Sequence, residues 1–245
     1  MENYQKLVDQ FHNDPRRGVQ TSLERFKREM DYQDREKHRI QKMLEIEKTL
    51  IAKGVQGIAG IDEAGRGPWV GPVVAAAVVL PAVFHWDGLN DSKKVSQARR
   101  EDLFLKITSQ ALDFGVGSAS AAEIDQVNIY RATQIAMERA VQAMHQPPQY
   151  LLIDAMNIPN LAWIPQKNII HGDACSASIA AASIVAKVTR DHWMEQLDLV
   201  YPQYAFKQHK GYGTTRHWQA IQKYGICPEH RRSFSPIAQW SGIEN

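Results

Sequence analysis

Acidic residues occur at three points of the sequence where a short apolar stretch ends. Asp62 and Glu63 are adjacent in GIDEAGRGPWVGPV (residues 60–73), Asp154 ends YLLID, and Asp173 follows KNIIHG. Carboxylates that are forced together repel one another, and the usual remedy is a hard divalent cation. Two such ions about 3.5–4 Å apart can activate a water molecule and stabilise the leaving oxygen in phosphodiester hydrolysis. These acids therefore indicate a metal-dependent hydrolase, provided that the fold brings them together.

Each acid also has a simpler interpretation. Asp173 could cap the helix that follows it, and Asp154 could belong to a turn. The pair Asp62 and Glu63 could instead form an ion pair with Arg66. The simpler interpretations weaken when taken together, because all three sites fall at the ends of predicted strands, where functional residues of open α/β sheets gather.

Short β-branched stretches bounded by Gly or Pro predict the strands that carry these acids. Adjacent strand residues point to opposite faces, so Asp62 and Glu63 converge only where the strand bends or stops, which Gly65 and Gly67 permit. We predict strands at GIAGID, VVAAAVVL, FGVGSAS (114–120), YLLID (150–154) and KNIIHGD (167–173), and helices at 121–145, 174–200 and 214–224. This mixture predicts an α/β architecture, with a mixed sheet covered by helices.

Charged residues are concentrated at the beginning of the chain. Residues 1–50 carry 11 Lys/Arg and 10 Asp/Glu, of 29 and 27 in the whole sequence. This shift predicts a boundary near 53–57, between a charged helical extension (1–55) and the main domain (56–245). The apolar spacing predicts helices at 4–11, 23–30 and 33–52, loosely docked because their apolar residues are few. Both a solvated charged surface and an arm that contacts nucleic acid fit this composition.

The composition argues against several classes of protein. Cys175 and Cys227 form no CxxC motif, which argues against a disulfide framework or a zinc site. The longest apolar run, residues 73–80, has 8 residues, whereas a membrane helix needs about 20. No apolar signal core follows the first residue and no GxxxxGK[ST] motif occurs. We expect a cytoplasmic, monomeric protein without membrane contact.

Basic and aromatic residues predict a nucleic-acid substrate. DSKK (91–94) is a polar turn, and residues 207–232 hold six Lys/Arg, three His and one acid. Within the second segment, HKGYGT places Tyr212 between glycines beside a lysine, which suits phosphate and a sugar or base. A solvated basic face with a core tyrosine is the alternative. Lys187 is either a phosphate contact or a lysine that extends from an apolar helix.

Five ordered motifs resemble those of bacterial ribonuclease HII: GIDEAGRGPWVGPVVAAAVVLP, LNDSKKVS, LLIDAM, HGDACSASIAAASIVAKVTRD and HKGYGT. The resemblance covers about residues 57–234. It implies an RNase H-like mixed sheet flanked by helices, with a C-terminal helical portion that binds substrate. It also implies Mg²⁺- or Mn²⁺-dependent hydrolysis of RNA in RNA–DNA hybrids, and incision at single ribonucleotides embedded in duplex DNA. The segment NDPRRGVQ is similar to the extension of Gram-positive members.

The resemblance implies roles for single residues. The positions of the family's metal-binding carboxylates are occupied by Asp62, Glu63, Asp154 and Asp173. The ribonucleotide-sensing motif matches Gly65, Arg66 and Gly67, and the junction-reading tyrosine matches Tyr212. The other predicted substrate-binding residues are Ser92, Lys93, Lys94 and Lys187. The related ribonuclease HIII would carry threonine in place of Arg66. Trp69–Val70 replaces the family's Leu-Ala, which leaves the rigidity of the loop open.

We therefore predict an endoribonuclease that cuts on the 5′ side of a ribonucleotide and leaves 3′-hydroxyl and 5′-phosphate ends. The segment at residues 60–73 would hold metal and bring a glycine-rich backbone close to one 2′-hydroxyl, the group that distinguishes RNA from DNA. Two alternatives stay open. A nuclease of the same fold that acts on DNA junctions would not need a ribonucleotide, and a catalytically silent hybrid-binding protein would bind without turnover.

Overall fold

The computed structural model describes residues 2–241, without the side chains of residues 2–5 and 7. The chain separates into two compact units, Met1–Met43 and Leu44–Asn245. The composition predicts the boundary near 53–57, after the last helix of the charged segment. The structure instead assigns that helix to the larger unit, because its apolar residues pack against the sheet.

The smaller unit consists of two helices, α1 (Glu2–Phe11) and α2 (Arg17–Met43), and α3 (Glu45–Ala52) follows in the larger unit. The predicted helix at 4–11 and its interruption by NDPRRG are confirmed. The predicted separation of helices at 23–30 and 33–52 is wrong, since α2 runs through it and the break falls at Leu44. No Gly or Pro occurs between Gly18 and Gly54 that would interrupt the helix earlier.

The larger unit is built on a mixed five-stranded sheet. Its strands are β1 (Ile58–Ala64), β2 (Val73–Val79), β3 (Asp113–Ala119), β4 (Tyr150–Asp154) and β5 (Gln166–Ile169), in the spatial order β3-β2-β1-β4-β5. The central strand β1 is antiparallel to β2 and parallel to β4. All five predicted strands are confirmed. The last one ends before the predicted residue 173, because the chain turns at His171 with a φ of 56°.

Up to residue 241, six α-helices follow α3 in the larger unit: α4 (Gln97–Gln110), α5 (Ala121–Gln142), α6 (Gly172–Cys175), α7 (Ala177–Val200), α8 (Phe206–His209) and α9 (Thr215–Tyr224). The sequence did not predict α4 or α8. The helix predicted at 174–200 is confirmed from Ala177 to Val200, but its start is wrong, because Ser176 has extended backbone angles that separate α6 from α7. Among the helices of residues 2–241, none has the length and apolarity to cross a membrane.

Both faces of the sheet are covered. Ala59 and Ile61 of β1 face α5, where they join a large apolar cluster with Ala136. On the other face, Ile58 and Leu152 pack against Ile179 of α7 and against Ile46 and Leu50 of α3. The start of α7 lies directly on β1, since a Cβ added to Gly60 would be 2.1 Å from the main chain of Ser178. A further cluster joins α7 to α8 and α9 and forms the C-terminal helical portion.

Candidate metal centre and substrate-recognition loop

Three carboxylates meet at one edge of the sheet. Ile61 of β1 pairs with Ile153 of the parallel strand β4, so the next residues, Asp62 and Asp154, lie side by side. Asp173 reaches the same place from α6. Ligand oxygens of Asp62, Asp154 and Asp173 all lie within 4.8 Å of one another. The structure therefore brings together three of the four acids that the sequence predicts as metal ligands.

The local chain geometry positions these acids. The main-chain N–H of Gly172 donates to Oδ1 of Asp154 at 2.7 Å. His171, with its left-handed φ of 56°, precedes the short helix that carries Asp173. The cap of the long helix α7 is Ser176, whose Oγ accepts a hydrogen bond from the N–H of Ile179. The interpretation of Asp173 as the cap of that helix is therefore wrong.

Burial and like charge raise the pKa of the acids in the centre. Burial, then the charges of Glu63 and Asp154, raise the pKa of Asp62 well above its ordinary value. Burial, then the charges of Asp91 and Asp154, raise the pKa of Asp173. Carboxyl groups that lie this close together are costly to ionise, and a divalent cation bound between them would stabilise their ionised forms. Oxygen ligands of this kind suit Mg²⁺ or Mn²⁺. The side chains present thus fit such an ion.

Glu63 lies beside this group and has a cationic partner. Its Oε1 is 3.3 Å from Nη1 of Arg66, and the carboxylate is mostly buried. Burial raises the pKa of Glu63, although the charge of Arg66 opposes the shift. The alternative ion pair with Arg66 is thus present at Glu63, and the role of Glu63 as a fourth ligand stays a prediction.

Two residues that the sequence did not single out connect the lysine turn to the centre. Asp91 accepts a hydrogen bond from the N–H of Lys93 at 2.9 Å and stands close enough to Asp173 to raise its pKa. The hydroxyl of Ser183 of α7 lies 3.0 Å from the hydroxyl of Ser92 and also hydrogen bonds to Asp62. Asp91 adjoins a predicted motif, whereas nothing in the sequence marks Ser183 among the small residues of its helix.

The predicted lysines differ in their surroundings. Lys93 and Lys94 are exposed. Burial opposes the charge of Lys93, but the nearby carboxylates outweigh it and raise its pKa. Nζ of Lys187 lies 2.6 Å from Oδ1 of Asp191, in a partly buried pair. Burial lowers the pKa of Lys187 despite that partner. Lys93 and Lys94 are therefore available to solvent, while Lys187 has an intramolecular partner.

The glycine-rich loop after β1 lies next to the predicted junction-reading tyrosine. Gly65 has a φ of 95°, a left-handed conformation that favours glycine, and it turns the chain away from the sheet. A Cβ added to Gly67 would be 3.7 Å from Cε1 of Tyr212. The side chain of Tyr212 is 48% exposed. The loop and the tyrosine thus form one surface beside the acidic centre.

Two buried arginines hold this surface in place through main-chain carbonyls. Arg231 donates to the carbonyls of Gly65, Arg66 and Gly71, at 2.6, 3.0 and 2.9 Å. Burial lowers its pKa to about 9. Arg231 belongs to the basic segment that the sequence predicts to bind nucleic acid. This prediction is wrong for Arg231, because its side chain is fully buried.

Arg190 of α7 joins the same loop to the tyrosine turn. It donates to the carbonyls of Val70, Pro72 and Lys210 at 3.1, 3.1 and 3.0 Å. Burial lowers its pKa to about 10. The planar guanidinium carries five donors in a fixed geometry, so one side chain can hold several carbonyls at set positions.

Trp69, the departure from the family pattern, lies between the loop and the tyrosine turn. Its ring fills the space above Gly213, where an added Cβ would be 2.1 Å away. Its main-chain N–H donates to the carbonyl of Gly211 at 2.9 Å. The ring also lies 5.4 Å from the buried imidazole of His217. The aromatic residue therefore adds contacts between the loop and the turn.

Comparison with known proteins places the whole chain in one family. The family description Ribonuclease HII matches residues 59–237, and Ribonuclease HII N-terminal domain matches residues 1–51. The ribonuclease HII of Geobacillus kaustophilus (strain HTA426) is 52% identical over 231 residues, covering 94% of this chain and 88% of the relative. That of Desulfitobacterium hafniense (strain DSM 10664 / DCB-2) is 54% identical over 226 residues, covering 92% and 86%.

Solved structures share the fold. The ribonuclease H2 from Pyrococcus horikoshii OT3 aligns with a TM-score of 0.63 at 27% identity, over 74% of this chain and 95% of that one. The Bst-RNase HIII in complex with Mn²⁺ aligns with a TM-score of 0.53 at 17% identity, over 78% and 71%. The second likeness concerns the fold alone. The chain belongs to the ribonuclease HII family of metal-dependent endonucleases, which act on RNA–DNA hybrids.

Proposed function

We propose that this protein cuts the RNA strand of RNA–DNA hybrids and also incises duplex DNA on the 5′ side of a single embedded ribonucleotide. The products carry 3′-hydroxyl and 5′-phosphate ends. The observation that carries this proposal is the adjacency of the three carboxylates to the loop at Gly65–Gly67 and to Tyr212. Chemistry and recognition of one nucleotide can then occur at the same edge of the sheet.

Asp62, Asp154 and Asp173 would hold Mg²⁺ or Mn²⁺, with Glu63 as a further ligand. Two divalent ions bound there with the substrate would stabilise the attacking and the leaving oxygen of the phosphodiester. The raised pKa values of Asp62 and Asp173 support this assignment, because both carboxylates gain from a nearby cation. The Mn²⁺ complex of the structurally similar Bst-RNase HIII is consistent with it.

The loop Gly65–Arg66–Gly67 would recognise the 2′-hydroxyl of the ribonucleotide. Glycine has no Cβ, so its main chain can approach a sugar closely. The 2′-hydroxyl both donates and accepts hydrogen bonds, so main-chain groups can read it. Arg231 holds the carbonyls of Gly65 and Arg66 from the protein side, which fixes the loop before substrate binds. A deoxyribonucleotide would leave polar groups of this loop unpaired, and such loss can discriminate by about 10⁴–10⁵.

Tyr212 would stack on the sugar of the following nucleotide. Its ring is partly exposed and borders Gly67. A 2′-hydroxyl on that second sugar would crowd the ring, so the preferred site is a ribonucleotide followed by a deoxyribonucleotide. The exposed Lys93 and Lys94 would contact substrate phosphates, as would Lys187 if substrate replaces Asp191 as its partner.

The experiment compares three end-labelled duplexes on a denaturing gel: DNA with one internal ribonucleotide, an RNA–DNA hybrid, and all-DNA of the same sequence. Each is incubated with the protein in Mg²⁺, in Mn²⁺ and in EDTA. We expect metal-dependent cleavage of the first two, with a single cut 5′ of the ribonucleotide in the first. Cleavage of the all-DNA duplex would favour the DNA nuclease, and binding without cleavage would favour the silent binder.

A further inference from the structure

Glu47 of α3 is a buried acid that the proposed mechanism does not use. Its side chain is 4% exposed. Its Oε1 accepts hydrogen bonds from Oγ of Ser176 at 2.6 Å, and from Oγ and N–H of Ser178 at 2.8 and 3.0 Å. Ile46 and Leu50 of the same helix pack against the sheet. Apolar contacts thus anchor α3, and its carboxylate is directed at the start of α7.

The start of α7 is a favourable place for this negative charge. The first N–H groups of a helix have no partner within the helix, and the helix dipole there is positive. Ser176 caps the N–H of Ile179, and Glu47 accepts the N–H of Ser178. Oε2 of Glu47 is buried and has no hydrogen-bond partner among the described residues. A buried acid with one unpaired oxygen costs stability.

A short chain of hydrogen bonds connects Glu47 to the acidic centre. Ser176, held by Glu47 through its Oγ, donates its main-chain N–H to the carbonyl of Gly172 at 2.8 Å. Gly172 in turn donates to Oδ1 of Asp154 at 2.7 Å. Asp173 lies in the turn between Gly172 and Ser176. Both ends of the turn that carries Asp173 are therefore fixed, one by Glu47 and the other by Asp154.

Glu47 also acts on the strand beside this turn. The main chain of Ser178, whose N–H and hydroxyl bind Glu47, lies directly against Gly60 of β1. Asp62 is two residues further along the same strand. A loss of the carboxylate would thus loosen the contact between α7 and β1, next to a second residue of the centre.

We propose that Glu47 is a positioning residue of the metal centre. It holds α6 and the start of α7 so that the carboxylates of Asp62, Asp154 and Asp173 stay close enough to share a divalent ion. This inference rests on the metal centre of the proposed function. It gives α3 a role in positioning the metal ligands, and all of this helix except Ala52 lies within the segment matched by the N-terminal domain description, residues 1–51.

The test uses the full-length protein and three variants: Glu47→Ala, the isosteric Glu47→Gln, and Glu45→Ala as a control on an exposed position of the same helix. Mn²⁺ binding without substrate is measured by the electron paramagnetic resonance signal of free Mn²⁺. Loss of a residue that supports metal ligands typically weakens metal affinity about 10- to 100-fold. We expect that loss in Glu47→Ala, a smaller one in Glu47→Gln, which keeps an acceptor oxygen, and none in Glu45→Ala.

Circular dichroism and cleavage of the RNA–DNA hybrid accompany the binding measurement. We expect kcat at limiting Mn²⁺ to fall with the affinity, while KM for the hybrid changes less than about 3-fold. If folded Glu47→Ala binds Mn²⁺ as the wild type does and only melts earlier, Glu47 is a structural cap and the proposal is overturned. If Glu47→Ala does not fold, Glu47→Gln decides in the same way.

The wild-type protein separates this proposal from the proposed function. Mn²⁺ binding without cleavage of any duplex would contradict the proposed function, while the effect of Glu47 on Mn²⁺ affinity would still decide the present proposal. Absence of Mn²⁺ binding by the wild type would remove the metal centre and overturn this proposal with it.

Discussion

The acidic centre and the loop beside it both contain buried charge, but they balance it in opposite ways. In the centre, Asp62 and Asp173 have raised pKa values because burial and neighbouring carboxylates oppose their ionisation. Next to it, the donors of Arg190 and Arg231 bind six main-chain carbonyls. The charge of the acids can be balanced by a bound cation, whereas the arginines already have hydrogen-bond partners within the protein.

This difference assigns the two regions different tasks. A group of like charges that repel one another can bind a cation, and it loses little stability if one charge is removed. A buried cation that binds carbonyls is no longer available to a phosphate, and its removal leaves the carbonyls unpaired. The centre is therefore suited to bind an ion, and the arginines to fix the shape of the recognition loop.

The largest effect is expected from Asp154→Asn, which keeps the shape of the side chain and removes one charge from the centre. Cleavage of the hybrid should fall by orders of magnitude. The melting temperature without metal should stay unchanged or rise, because repulsion between carboxylates is relieved. Both quantities are measured on the same preparation. Near-normal cleavage at saturating Mg²⁺ would exclude Asp154 as a ligand.

Arg231→Met should affect stability, unlike Asp154→Asn, because it removes the hydrogen-bond donors for three main-chain carbonyls. The free energy of unfolding should fall by about 3 kcal/mol, because buried acceptors lose their partners. Urea unfolding measures it, with Lys207→Met as the control at an exposed position and an expected change within about 0.5 kcal/mol. A loss equally small for Arg231→Met would show that these contacts do not stabilise the loop.

Tyr212→Ala should separate recognition from chemistry. Stacking on an aromatic ring contributes about 1–3 kcal/mol, so cleavage at a single ribonucleotide should fall about 10- to 100-fold. A long RNA–DNA hybrid offers many possible cleavage positions, so its cleavage rate should fall less. Tyr212→Phe, which keeps the ring, should remain close to the wild type. An equal loss on both substrates for Tyr212→Ala would mean that the ring serves general binding or folding.

The smallest effect is expected at Glu123, an acid outside the centre that is paired. Its hydrogen bonds with Arg139, then with Ser120, lower its pKa to about 2. Its stabilisation is therefore present above the ordinary pKa of 4.5 and is lost as the pH falls towards 2. Glu123→Gln should lower stability at pH 6 by less than about 1 kcal/mol. That difference should vanish near pH 2, as measured by thermal unfolding, and its persistence there would refute the ionic contribution.

The sequence predicts those parts of the molecule that depend on local patterns. The five strands follow from apolar stretches, and Asp62 and Asp154 follow from the ends of two of them. The break at Ser176 could not be predicted, because the apolar helix pattern continues around it and the bond to Glu47 joins residues 129 positions apart.

The same limit applies to the recognition loop. Arg231 resembles any surface arginine in the sequence, and its role depends on a bond to Gly65 that spans 166 positions. Helix α4 escaped prediction because Leu103 and Ile107 are its buried apolar residues, too few to give a clear pattern. Features of the structure that depend on contacts between residues distant in the sequence therefore cannot be predicted from local patterns.

The central claim is that the charge of the three acids is balanced by an added divalent ion, and a Mn²⁺ titration of the melting temperature tests it most directly. A ligand that binds the folded state alone raises the melting temperature as its concentration increases. We predict a rise for the wild type and for Tyr212→Ala, and a much smaller one for Asp154→Asn. An equal rise in Asp154→Asn, or no rise in the wild type, would contradict the account.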